Sequence, residues 1–262
     1  MPNLPDSSDH DASSASDASA ASDASGDIMF RSDVTVELVR ASARDADVVF
    51  AARVSTVGES SVGDVDSDAQ RSAGLIRYLM RERHGSPFEH NSMTFFVQAP
   101  IFVWREHMRH RIASYNEESG RYRELRPIFY VPNETRSVVQ DGKPGAYEFH
   151  PGTPEQYAVI DSATRESCVV AYDAYQRMLD AGIAREVARM VLPVTIYSSA
   201  YVTMNARALM NFLSLRKKSD DATYPSYPQR EIEMVAEAYE EHFARLMPIT
   251  HDAFVASGRV AP

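Results

Sequence analysis

The sequence predicts an α+β fold, a small and mostly antiparallel sheet flanked by helices. Three observations carry that expectation. Segments with two-residue alternation, such as DVTVELVRAS (Asp33–Ser42), lie between segments with helical spacing. The helical segments are uneven in length, which suits α+β better than a regular βαβ repeat. No internal repeat or composition shift marks a domain boundary after residue 27.

Residues 1–27 hold six aspartates and no Lys or Arg, among Ser and Ala. With so little to bury, that stretch is expected to be a disordered acidic tail, leaving 28–262 as one domain. Arg44–Val54 has helical spacing, and GESSVGDVDSD (Gly58–Asp68) is a loop. Ala69–Arg83 is a helix with Leu75, Ile76, Leu79 and Met80 on one face. Gly85 and Pro87 break it, and Ser92–Gln98 is a strand rich in β-formers. Pro100 opens a short helix to about His110. A loop carries Asn116–Gly120, and a short strand follows at Phe129–Val131. Pro154–Ala181 is a long amphipathic helix ended by Gly182. Arg185–Val191 is helical and stops at Pro193, Val194–Thr203 is strand-like, and Asn205–Arg216 is helical. Lys217–Gln229 is a proline-bearing loop, followed by helices at Gln229–Leu246 and Thr250–Ala256.

Composition narrows the function classes. Hydrophobic residues make up 44% of the chain, enough for a sizeable core. No apolar run has the length of a membrane span, and the start lacks the basic flank and apolar core of a signal peptide. The expected location is cytoplasmic, with no membrane partner. A formal net charge of -10 argues against a dedicated nucleic-acid binder. A single cysteine, Cys168, excludes an internal disulfide and a cysteine-cage metal site.

Against that acidic background, Arg105, Arg109, Arg111, Arg121, Arg123 and Arg126 crowd into one stretch. Guanidinium groups match phosphate with a two-pronged donor fork, so a bound anion explains the crowding. A solvated face paired with Glu106, Glu117, Glu118 and Glu124 explains it equally plainly on composition alone. The order of residues is more specific. Arg109, His110 and Arg111 are followed after seven residues by Ser119, within RHRIASYNEESGRY. AARVS (Ala51–Ser55), SPFEH (Ser86–His90), REVARMVLP (Arg185–Pro193) and NARALMNFLSLR (Asn205–Arg216) accompany it.

These blocks, in this order, resemble the flavin-dependent thymidylate synthases, and the likeness covers most of Val34–Arg216. The resemblance implies methylation of dUMP to dTMP. Methylenetetrahydrofolate gives the carbon, reduced FAD the hydride, and NADPH restores the flavin. It also implies a homotetramer with sites shared between chains. It assigns FAD to Ser86, Arg109, His110, Arg111, Glu117, Asn205, Ala206, Arg207 and Asn211. Two arginines suit a pyrophosphate, and asparagines suit the flavin and adenine edges. No glycine-rich Rossmann turn is present. It assigns dUMP to Glu106, His107, Met108, Arg109, Glu117, Glu118, Ser119, Gly120, Arg121, Arg189 and Arg216. Position 106 is Glu where many relatives carry Gln, which keeps an acceptor and removes an amide donor. Arg216 is the expected catalytic residue, because a guanidinium beside uracil N3 favours the ring anion that attacks through carbon 5.

Plainer readings stand beside these. Cys168 has no activating neighbour in sequence and is expected to pack. Ser119 has no evident base, so a phosphate contact is expected in place of a nucleophile. His84 is expected beside the flavin. No HExxH-type grouping suggests a metal. Trp104, Met178, Met190, Met204 and Met210 are expected in the core, Arg189 is free to pair with Glu186, and Arg207 is readable as a surface charge. The rival function is a module that holds RNA or another polyanion on the arginine cluster without chemistry.

Overall fold

The computed structural model describes residues 27–58, 69–144 and 146–262. All but residue 27 of the expected disordered tail, and most of the loop at 58–68, lie outside the described residues. The strands are β1 (Met29–Arg31), β2 (Thr35–Ser42), β3 (Ser92–Pro100), β4 (Ser114–Glu117), β5 (Ile128–Tyr130), β6 (Val139–Lys143), β7 (Ala146–His150) and β8 (Tyr197–Met204). The helices are α1 (Asp45–Val57), α2 (Ala69–Arg81), α3 (Ile101–His107), α4 (Pro154–Asp180), α5 (Arg185–Ala188), α6 (Ala206–Arg216), α7 (Arg230–Leu246) and α8 (Pro248–Ala256). Short 3-10 turns cover Ser86–Glu89 and Arg189–Val191.

The main sheet has the order β2-β3-β8-β4, antiparallel throughout, as the sequence predicts. Strand β3 shows why. Met93, Phe95, Val97 and Ala99 alternate inward and are buried, while Thr94 and Phe96 face the other side. Residues Ala200, Val202 and Met204 of β8 join the same core. Helix α7 buries Ile232, Val235, Ala236, Tyr239 and Phe243, a helical spacing that lays one stripe against the sheet. Helix α6 lies inside this layer, with Leu209, Met210, Phe212 and Leu213 buried. Each such large apolar side chain contributes about 1.5–3 kcal/mol by leaving water.

A second, smaller core joins α4 to β5 and α5 through Phe129, Cys168, Tyr172, Tyr175 and Ala188. Cys168 is buried there, a packing residue as expected. Helix α4 starts at a capping box, Thr153 accepting from the Gln156 amide while the Gln156 side chain accepts from the Thr153 amide. It closes at Gly182, whose φ of 78° suits the residue past a helix end.

Three features differ from the expectation. Asn116 and Glu117 belong to edge strand β4 and not to a loop, because β8 supplies the ladder partners Tyr201 and Ala200. Strand β1 and the β6–β7 hairpin are too short or too polar for alternation to reveal them. Met190 is 78% exposed, whereas Trp104, Met204 and Met210 are buried. Its 3-10 turn points it outward from the body that its sequence spacing suggested.

Candidate active site

The site is built around α6, whose two ends hold different chemistry. Eleven residues separate those ends by about 16 Å.

At its C-terminal end, Arg216 meets the exit of α3. Arg216 Nη1 lies 2.7 Å from Glu106 Oε2, Nη2 donates to the Glu106 carbonyl at 3.3 Å, and Nε donates to His110 Nε2 at 3.1 Å. The exit is fixed from beneath. Trp104 Nε1 donates to the carbonyls of Ala99 and Ser198, tying α3 to β3 and β8. His107 is buried, shares a hydrogen bond with the Tyr239 hydroxyl at 2.9 Å and packs on Phe212. Burial pushes its pKa down to about 3, so it is a neutral structural post. A ligand therefore meets position 107 only through the backbone. His110 is also held neutral, its pKa lowered to about 4 by burial and then by Arg216.

The loop after β4 forms a second group. Glu117 accepts from Ser198 Oγ at 2.5 Å, and Glu118 accepts from the Ser199 amide at 2.9 Å. The chain then turns, with the Arg121 amide donating to Ser119 Oγ. Gly120 is buried against Arg189. A Cβ built there lies 3.2 Å from Arg189 Cδ and 3.0 Å from Leu125 Cδ1, so any larger residue displaces these two side chains by a few tenths of an ångström. A cleft of about 320 Å³ beside this loop is lined by Asn116, Glu117, Glu118, Arg123, Arg126 and Tyr201, among others.

The third group sits at the N-terminal end of α6. Asn205 caps the helix by accepting from the Ala208 amide at 2.9 Å, and Asn91 accepts from the Ala206 amide. The Ala206 side chain is buried, which leaves its backbone as the only available contact. Arg207 is no loose surface charge, since it binds Glu89 and the Pro262 carbonyl. Gly85, beside Ser86, lets Arg207 approach, because a Cβ there falls 2.5 Å from its guanidinium carbon. Asn211 is exposed and donates to the Arg207 carbonyl. His84 lies on the same turn, edge-on to Tyr78.

Three of the four acids near the cluster are committed elsewhere, which weakens the reading of a self-neutralised basic face. Glu106 goes to Arg216, Glu117 to Ser198 and Glu124 to Gln176. Among the described residues only Arg121, with Glu186 at 2.8 Å, and Arg123, with Glu118 at 3.6 Å, form ion pairs within the cluster. Glu186 is thereby taken, and Arg189 has no ion pair among the described residues. Arg105, Arg109, Arg111 and Arg126 likewise have none among the described residues. Sequence reasoning missed two members of this architecture, Trp104 and Tyr239, which position α3 without touching the cleft. Their signal was only that of core aromatics. Among the described residues no group of three His, Cys, Asp or Glu side chains is placed to hold a metal.

The fold and the uncommitted guanidinium groups describe a protein built to bind phosphorylated ligands at an antiparallel sheet. The family described as "Thymidylate synthase complementing protein" matches residues 37–249. A flavin-dependent thymidylate synthase of Streptomyces coelicolor is 64% identical over 236 residues, covering 90% of this chain and 96% of the relative. One from Thermotoga neapolitana is 42% identical, covering 84% and 90%. Among solved structures, a UMP/dUMP methylase PolB from Streptomyces cacaoi bound with 5-Br dUMP superposes with TM-score 0.85 at 58% identity, covering 90% of this chain and 100% of the other. The chain belongs to the flavin-dependent thymidylate synthase family.

Proposed function

We propose that this protein methylates dUMP to dTMP, taking the carbon from methylenetetrahydrofolate. The observation that carries the reading is the set of guanidinium groups without an ion pair among the described residues, on Arg105, Arg109, Arg111, Arg126 and Arg189, with Arg126 lining the cleft beside β4. Unpaired arginines repel one another, and phosphates relieve that repulsion.

The residues present fit FAD. Arg109 and Arg111 are free to grip a pyrophosphate. Asn211, the Asn205 amide group, Ser86, His110, Glu117 and Arg207 offer donors and acceptors, with Ala206 contributing its backbone. When bound, reduced FAD supplies the hydride, with NADPH as the reductant that restores it. Ser119, Gly120, Arg121 and Arg189 are assigned to the nucleotide phosphate, with Glu117 and Glu118 lining the sugar side. Glu106 to Arg109 and Arg216 are assigned to the uracil. Arg216 acts by holding charge on the ring, not by moving a proton, since guanidinium stays protonated.

Among the described residues, no hydrogen bond or ion pair joins the group at the start of α6 to Arg109 or Arg111. This supports a homotetramer in which one chain's α6 end meets another chain's arginines. Ile112 (73%), Tyr122 (80%) and Met190 (78%) are exposed, stand next in sequence to Arg111, Arg121 and Arg189, and suit burial between subunits. Residues 1–27 are assigned to a tail outside the catalytic domain. No helix among the described residues is long and apolar enough to cross a membrane.

The test is spectroscopic and chemical. Purified protein is expected to be yellow, to bleach with NADPH faster when dUMP is present, and to yield dTMP when the folate is added. UMP serves as the companion substrate. A colourless protein with no flavin shift on reconstitution, and strong salt-dependent RNA affinity, would favour the binding-module reading.

A further inference from the structure

Three carboxylates line the path from α3 to the turn at Ser119, and they are used differently. Glu117 and Glu118 hold β8 through Ser198 and the Ser199 amide. Glu106 instead faces the guanidinium assigned to the uracil, with Oε2 2.7 Å from Arg216 Nη1. Its Oε1 accepts no hydrogen bond from the described residues. Any ring edge that docks on Arg216 therefore comes within reach of the Glu106 carboxylate.

We propose that Glu106 is the proton acceptor through which uracil binds Arg216 as its N3 anion, a step that rests on the dUMP reading above. The uracil N3–H bond breaks and its electron pair stays on the ring, spread onto O2 and O4. An O–H bond forms on the Glu106 carboxylate. Charge is conserved locally. Before transfer the guanidinium faces a carboxylate; afterwards it faces the uracil anion, and Glu106 is a neutral acid. No net charge enters a partly buried site, where an uncompensated charge is costly. With glutamine at this position the proton must leave to water instead.

The surroundings suit this role. Burial raises the proton affinity of Glu106, Arg216 and Arg109 oppose that rise, and Glu231 on α7 adds to it. His110, the other titratable neighbour, is a poor candidate, because its Nε2 already accepts from Arg216.

The experiment compares wild type, Glu106→Gln and Glu106→Asp as flavin-loaded enzymes. It follows kcat for dTMP across pH, together with the ultraviolet difference spectrum of bound dUMP, which reports N3 ionisation. Glu106→Gln is expected to lose roughly a hundredfold in kcat at neutral pH, the scale of general-base catalysis, and to recover as pH rises. Its bound dUMP ionises at higher pH. Glu106→Asp keeps an acid limb, displaced from that of wild type. A Glu106→Gln profile that matches wild type, or a loss equal at every pH, overturns the proposal. If Glu106→Gln fails to hold flavin, an unmoved acid limb in Glu106→Asp overturns it and a displaced one supports it. Failure of the function reading looks different, as wild type would then form no dTMP at any pH.

Discussion

Arg216→Ala separates catalysis from architecture most cleanly. The substitution removes hydrogen bonds to Glu106 Oε2, the Glu106 carbonyl and His110 Nε2. Glu106 is left partly buried without its guanidinium, which costs about 1–3 kcal/mol of stability. For a chain of this size that lowers Tm by about 2–4 °C for each kcal/mol. The catalytic loss is larger in consequence. Removing a preorganised charge-stabilising group costs about 10²–10³ in kcat, or about 3–4 kcal/mol. The flavin-assigned groups at the start of α6 lie about 16 Å away and keep their caps at Asn205 and Asn91, so that of the flavin-assigned side chains only His110 loses a hydrogen bond. Flavin content should therefore hold while dTMP formation collapses. The pKa of His110 should also rise from about 4, since Arg216 is its second lowering cause after burial. The checks are flavin absorbance, dTMP yield in single turnover and a thermal melt on the same sample. Near-normal turnover would remove Arg216 from the chemistry, and a colourless variant would show that the two ends of α6 are not separable.

Other expectations concern the supporting structure. Gly120→Ala puts a methyl group 3.2 Å from Arg189 Cδ, so the KM for dUMP should rise about tenfold with flavin content intact; an unchanged KM would refute the Gly120–Arg189 coupling. His107 is neutral when folded and protonates more readily when unfolded. Acid therefore erodes stability as pH falls from about 6.5, where the unfolded imidazole gains its proton, towards the folded value of about 3. Denaturant melts should show a shallower loss over that window in His107→Gln, and equal slopes would exclude the buried imidazole as the cause. Deleting residues 1–27 should leave kcat and melting temperature unchanged, and a large fall in either would place that segment in the functional fold.

Local regularities made much of this protein readable from its sequence. Alternation in β3 and helical spacing in α2, α4 and α7 appear there because one face of each element is buried and the other wet. Gly182 was readable because a helix end needs left-handed backbone. The spacing from Arg109 to Ser119 identified the family because a ligand constrains residue order as tightly as a core does. Tertiary structure alone decided the rest. Edge strand β4 exists because β8 provides its hydrogen-bond partners, which no local pattern encodes. Arg216 is more than a hundred positions from Glu106 and His110 and meets them only because α6 and α3 end at the same place. Which arginines keep an internal counterion, and which are left without one, depends on distances between chain segments. Pairwise charge energies fall with separation in space, and the order of residues does not contain that separation.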